Sequence, residues 1–400
     1  MYVRMKKNCM DKVVITAAGV VCGNAGSMKE FEEALLDGKS GIKQCTAFNT
    51  AGLAAARFGQ ADGITNEGRF FALMERAASD MMQDARLTKE AVAAFGGRCR
   101  LFMGTLLYNT EACLCHVQAK MQGETDSYLA HVNDFSQRIR ELTGVRGSVT
   151  VCSSACASGT TAAGMAFDYI RNGLCDCAIV GGVDALSYIT ACGFNALQAL
   201  SSSQCKPYCA DRDGITIGEG GAFFFVETET QAKRRGAKPY AEIAGYAIGN
   251  DAYHATSPDP TGAGAYRTMS AALADAGWKG GEIDYIDGHG TGSLINDDME
   301  VKAIDRLLKC SGKTVQLVST KALIGHCMGA SGALELASVL AAMKAGRTVP
   351  QAQLADPMPV PQTIRLCRES VPEPVRRALS CSFAFAGNSA ALAVQKVEIV

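Results

Sequence analysis

Three short stretches hold residue types that can support nucleophilic chemistry: Cys156 in CSSACASG, His289 in DGHGTGS and His326 in GHCMGASG. Cys156 stands where a strand-like SVTVCS gives way to a helical pattern, so a sharp strand–turn–helix bend would expose its sulfur at a helix N-terminus. There the helix dipole favours thiolate, and unpaired backbone N–H groups can face an oxyanion. Ala155, Ala157, Ser158 and Gly159 are small enough for such a turn, whereas Cys152 belongs to the preceding strand. His289 lies in a glycine-rich loop after a strand, and His326 at the approach to a second Ala-rich helix. Taken alone, either is more often a hydrogen-bonded structural histidine than a catalyst. His254 in DAYHATSPDPTG reads as a turn residue, and His116 and His131 sit in a weakly patterned segment.

The elements that must position these residues alternate. VVITAAGVV, SVTVCS, CAIVGG, GAFFFVE, IDYIDG and VQLVST read as buried strands; FEEALLDG, FALMERAASDMMQDA, AYRTMSAALADAG and MEVKAIDRLLK carry helical periodicity. The pattern predicts an α/β fold with parallel or mixed sheets. One segment echoes another: ASGTTAAGMAFDYIRNG from Ala157 and ASGALELASVLAAMKAG from Ala330 have equal length, follow a strand and end in glycine. Duplication explains the match better than chance, with two halves, 1–245 and 246–400, bringing two equivalent helix starts to one central site. Small residues at those starts would let the two helices approach closely.

Composition sets the limits. With 39 Lys plus Arg against 40 Asp plus Glu, the net charge of −1 supplies no basic field for nucleic acid or an anionic membrane. The uncharged run from Gly147 to Phe167 is rich in Gly, Ser, Thr and Ala and lacks the apolar density of a spanning helix. The N-terminus is basic without a signal-peptide core, so a soluble cytoplasmic enzyme is expected. The 17 cysteines are odd in number and none are spaced C-x-x-C, which disfavours disulfides and zinc ribbons and fits a reducing compartment.

The chain resembles the elongating β-ketoacyl-acyl carrier protein synthases of the thiolase-like superfamily over nearly its whole length. The likeness is densest at SSACASG, CKPYCADRDGITIGEGGAFFFVE, DGHGTGS, NDDMEV, STKALIGHCMGASGA and SFAFAG. The resemblance implies a duplicated five-layer α-β-α-β-α fold, dimerisation with itself or a related subunit, and a Cys156-His289-His326 centre. It further implies that Cys156 takes an acyl group from the phosphopantetheine arm of an acyl carrier protein, and that the histidines stabilise the enolate left when a malonyl thioester loses CO₂. Lys321 would order the centre, with Glu300 as its acidic partner. Thr291 and Ser293 would bind the pantetheine amides, and the amides of Cys156 and Phe385 would hold the oxyanion. No cofactor or metal is needed.

Departures from the family pattern carry expectations of their own. Its G-F-G-G-x-N loop is here Ala384-Phe385-Ala386-Gly387-Asn388-Ser389, with Phe385 as the gate and less backbone freedom where Ala replaces Gly. Leu107, Tyr108 and Phe194 are expected to line the acyl tunnel. The usual basic docking cluster is reduced to Arg69 and Arg76, with Gln198 at another usually basic position. That leaves Lys206, Arg212 and Lys233-Arg234-Arg235 as substitutes, and these departures point towards a specialised polyene or polyketide pathway. Thiolases and initiating synthases share the fold but differ at the second Cys or second His. A non-catalytic chain-length-factor-like subunit would lack Cys156. A Cys-His hydrolase leaves the second histidine unexplained.

Overall fold

The computed structural model describes residues 11–66, 68–108, 110–123, 134–309 and 311–398. His131 lies outside them. The six strands read from sequence form, as β1 (Val13–Cys22), β3 (Val149–Cys152), β4 (Cys177–Asp184), β5 (Gly220–Thr228), β7 (Tyr285–Asp287) and β8 (Val315–Val318), and the structure adds β2 (Cys99–Gly104), β6 (Ala241–Asn250), β9 (Ile364–Arg365), β10 (Arg377–Phe383) and β11 (Asn388–Lys396) to the same sheet. The helices used below are α1 (Met28–Leu36), α2 (Arg69–Ala85), α3 (Ser158–Arg171), α4 (Tyr188–Ala196), α5 (Ala263–Ala276), α6 (Leu294–Leu308) and α7 (Ser331–Ala345).

Strand order repeats. In the first half it runs β3-β2-β4-β5-β1; in the second, β8-β7-β10-β11-β6, with β9 added outside β8. Each half has three parallel strands followed by two antiparallel ones, with matching pairings in both. A short antiparallel contact, Val13 opposite Ile243, joins β1 to β6 and links the halves. Residue 245 lies inside β6. α2 covers β1 and β5 on one outside face, and α5 covers β6 and β11 on the other.

The echo helices α3 and α7 lie against each other between the two halves of the sheet, completing five layers. That location explains their composition. α7 is buried all round from Ser331 to Met343, so its apolar residues need not keep to one face. Contact at the helix starts requires glycine: a Cβ on Gly159 would lie 2.7 Å from Ala333 N, and one on Gly332 would lie 2.6 Å from Thr160 N. The two contacts are reciprocal, each echo helix lending its glycine to the other. The thirteen cysteines from Cys22 to Cys381 whose side chains the structure describes are free thiols. Among the described residues, no helix is long and apolar enough to cross a membrane.

Candidate active site

The starts of α3 and α7 and the loops after β7 and β10 converge on a cavity of about 380 Å³. Cys156, His289, His326, Thr291, Ser293, Phe194 and Phe385 all line it. The bend before α3 holds Ala155 at φ +52°, a left-handed conformation that costs an L-residue roughly 1–2 kcal/mol. Ser158 locks the bend, accepting from Ser154 N at 2.9 Å and donating to Ala155 O at 2.5 Å. Cys156 is thereby presented at the base of the cavity, 6% exposed.

Each histidine is fixed through its backbone. His289 N and Gly290 N donate to the buried Glu300 carboxylate on α6, at 2.6 and 2.7 Å, and the Tyr208 hydroxyl donates to it at 3.1 Å. The His326 segment is stitched beside residues 216–218, donating to Thr216 O at 2.7 Å and accepting from Gly218 N at 2.9 Å. Lys321 donates to His289 O at 2.6 Å, lies 3.3 Å from His289 Nδ1 and forms a buried ion pair with Glu335 of α7.

These contacts settle the tautomers. His326 Nδ1 accepts the Met328 N–H at 3.1 Å, so its proton sits on Nε2. The Lys321 ammonium beside His289 Nδ1 selects the same form there. Burial drives both imidazoles well below their ordinary pKa, and the Lys321 charge reinforces it, so the rings are neutral N–H donors. One atom from each of Cys156, His289 and His326 lies within 4.8 Å of the others, a grouping that also invites a metal-site reading. A protonated Nε2 offers no lone pair to an ion, however, and the donor set suits an oxygen anion.

The thiol departs from the sequence expectation. Burial pushes Cys156 up to about 12, which the Lys321 charge only partly offsets and Glu335 and Asp184 aggravate. Desolvation outweighs the Lys321 charge and the backbone hydrogen bond that lower it, and the resting sulfur is a thiol.

Phe385 is 37% exposed over the cavity, its ring centroid 5.8 Å from that of Phe194. Ala386 keeps φ +59° despite its Cβ, with its N–H on Ala255 O at 2.7 Å and its carbonyl taking Asn250 Nδ2 at 2.8 Å. Thr291 Oγ1 and Ser293 Oγ lie 2.9 Å apart on the cavity wall.

Leu107 and Tyr108 do not border this cavity. The Asp184 carboxylate gathers Thr105 Oγ1 (2.6 Å), Leu107 N (2.8 Å) and Gly329 N (2.6 Å), which folds the loop inward. Tyr108 packs between Phe70 and Phe135, with centroids at 5.3 and 5.6 Å, and Leu107 joins the cluster around Phe58 and Met328. Apart from the exposed Arg234, the cations expected to dock a carrier have partners within the chain. Arg69 is buried against Glu219, Arg76 bonds the carbonyls of Gly26 and Asp62, Arg212 binds Asp298, Lys206 binds Asp211, and Lys233 and Arg235 bind Glu229 and Glu227. Sequence reading missed Glu335, Tyr208 and Asp184, and also Ser331, whose Oγ lies 3.1 Å from His326 Nδ1.

A duplicated α/β sandwich with a cysteine and two histidines at its centre defines a thiolase-like protein. Residues 10–232 match the β-ketoacyl synthase N-terminal domain and residues 240–355 its C-terminal domain. The chain belongs to the β-ketoacyl synthase family. It is 29% identical to a 3-oxoacyl-[acyl-carrier-protein] synthase 2 of Staphylococcus aureus, over 97% of this chain and 99% of that one. The solved ishigamide ketosynthase/chain length factor superposes with TM-score 0.89 at 29% identity, covering 98% of this chain and 100% of that one. A type II polyketide ketosynthase solved with its acyl-carrier protein gives TM-score 0.88 at 28% identity, covering 98% and 100%.

Proposed function

We propose that this chain is a β-ketoacyl-[acyl-carrier-protein] synthase acting in the cytoplasm, in fatty-acid or polyene/polyketide chain elongation. The observation that carries the reading is one thiol and two neutral imidazole N–H donors grouped at the base of a single cavity. Cys156 sulfur attacks the carbonyl of an acyl thioester, the bond to the pantetheine sulfur breaks, and the thiol proton leaves with that sulfur. A malonyl thioester then enters, its amides on Thr291 and Ser293. Its C–CO₂⁻ bond breaks, CO₂ departs, and the electron pair collects on the thioester oxygen as an enolate facing His289 and His326. Losing one such preorganised donor costs about 10²–10³ in rate. The enolate carbon attacks the acyl-cysteine, and the Cys156 and Phe385 amides receive the oxyanion. Collapse returns the sulfur to Cys156, which regains a proton from water.

Lys321 and Glu300 serve as positioning residues for His289. The two halves, 1–245 and 246–400, divide the labour, the first supplying the nucleophile and the second both histidines. Partners are an acyl carrier protein and a second thiolase-like chain, a copy of this one or a related subunit. Strand β3 ends the sheet with Val151 45% exposed, an edge that a second chain can extend. A silent chain-length-factor-like role fits less well, because a nucleophile and two oriented N–H donors are kept together.

Intact-mass analysis tests the reading. With acyl-carrier protein, the wild type gains one acyl group on Cys156, and added malonyl-carrier discharges it as a 3-oxoacyl product. Undiminished acyl labelling of Cys156→Ala would overturn the assignment.

A further inference from the structure

The mouth of the cavity has an unusual chemistry for a site visited by an acidic carrier. Three large aliphatic side chains of its wall also face solvent: Leu197, which caps α4, and Leu294 and Ile295 in the first turn of α6, at 54%, 57% and 53% exposed. Large apolar side chains grouped and half-exposed on two different elements mark contact surfaces more often than they mark idle surface. The charges nearby are already matched. Arg212, itself buried, donates to Asp298 at 2.6 Å and to Cys209 O at 2.7 Å, and Lys206 bonds Asp211 at 2.6 Å. Asp213, on the wall, is held by Ser201 and Ser202. Carboxylates therefore equal or outnumber cations at the rim, and Gln198 is neutral there.

A protein that threads an amide-bearing arm down this cavity must sit over its mouth. We infer that the acyl carrier docks through an apolar contact, an apolar face of the carrier covering Leu197, Leu294 and Ile295, with little electrostatic steering. The inference rests on the condensing-enzyme reading above and names how its partner is recognised. Apolar contact at a small central patch gives affinity through slow dissociation, whereas charge complementarity acts chiefly on association rate and fades with salt.

The test compares the same acyl group on the carrier protein and on N-acetylcysteamine, following acylation of Cys156 in wild type, Leu294→Ser, Ile295→Ser and Lys206→Ala. In wild type, kcat/KM for the carrier-borne substrate should change by less than about threefold between roughly 0.05 and 0.5 M NaCl, where steered association falls tenfold or more. Leu294→Ser and Ile295→Ser should each lose at least about fivefold more with the carrier-borne substrate than with the small thioester. A steep salt dependence, with Lys206→Ala impaired and both serine variants matching wild type on the carrier, overturns apolar docking alone. Failure of wild type to be acylated from either donor overturns the condensing-enzyme reading, and the docking inference with it.

Discussion

Lys321 grips His289 at two points, donating to its carbonyl at 2.6 Å while its ammonium lies 3.3 Å from the ring Nδ1. One side chain thus sets both where the imidazole sits and which nitrogen carries its proton. The same ammonium neutralises Glu335, so the centre depends on a buried pair that ties the His289 loop after β7 and the segment after β8 to α7.

Lys321→Met should be costly on both counts. It strands a buried carboxylate, which costs about 3–5 kcal/mol by urea denaturation. It also frees His289 to carry its proton on Nδ1, which removes one enolate donor. The double variant Lys321→Met/Glu335→Gln should recover most of the stability while malonyl decarboxylation stays depressed by about 10² or more. Recovery of decarboxylation together with stability would show that the tautomer does not matter.

Cys156 should respond to pH as a buried thiol. Its pKa is pushed up to about 12, principally by burial, so the thiolate fraction grows throughout the neutral range. Iodoacetamide alkylation of Cys156, followed by mass spectrometry, should accelerate about tenfold per pH unit from pH 7 to 9. A plateau beginning near pH 7 would mean that the helix dipole outweighs desolvation.

The histidines predict the opposite limb. Both are lowered well below 6.5, burial being the main cause and Lys321 the second, so falling pH leaves them neutral well past the ordinary imidazole midpoint. Protonating His326 would also place a proton on Nδ1, against the Met328 N–H. Malonyl decarboxylation should therefore hold its rate from pH 7 down to about 5.5. A loss centred on 6.5 would indicate ordinary, solvent-exposed imidazoles.

Cys156 stood out by its strand–turn–helix context, whereas His289, His326 and Lys321 were singled out by the family resemblance, and the structure brings the four together. The strand alternation was legible too, since buried strands read as apolar runs whatever their neighbours. Glu335 was not, because in LELASVLAAM it looks like one polar residue on an apolar helix, and only the packing of α7 brings it to Lys321. That Leu107 and Tyr108 turn away from this cavity was not legible, for want of Asp184. That carboxylate lies more than seventy residues away in sequence, and its bonds to the loop decide which way it turns. Paired cations at the mouth were likewise invisible, since a sequence counts charges but not their partners.

Phe385 and Phe194 meet at 5.8 Å over the cavity, and the loop that carries Phe385 holds Ala386 at φ +59°. Two effects oppose each other in Ala386→Gly. Glycine removes a left-handed cost of roughly 1–2 kcal/mol and adds about 0.4–1 kcal/mol of unfolded-chain entropy, so the variant should be unchanged or more stable by up to about 1.6 kcal/mol. Glycine also opens other backbone basins to the loop, and Phe385 should leave the Phe194 ring more often. Water then reaches the thioester more readily, shortening the life of acyl-Cys156 when malonyl-carrier is withheld. Intact-mass decay of the acyl-enzyme, read beside a thermal melt, checks both halves. A longer-lived acyl-enzyme together with a lower melting temperature would show that Ala386 is not where the loop's conformational cost resides.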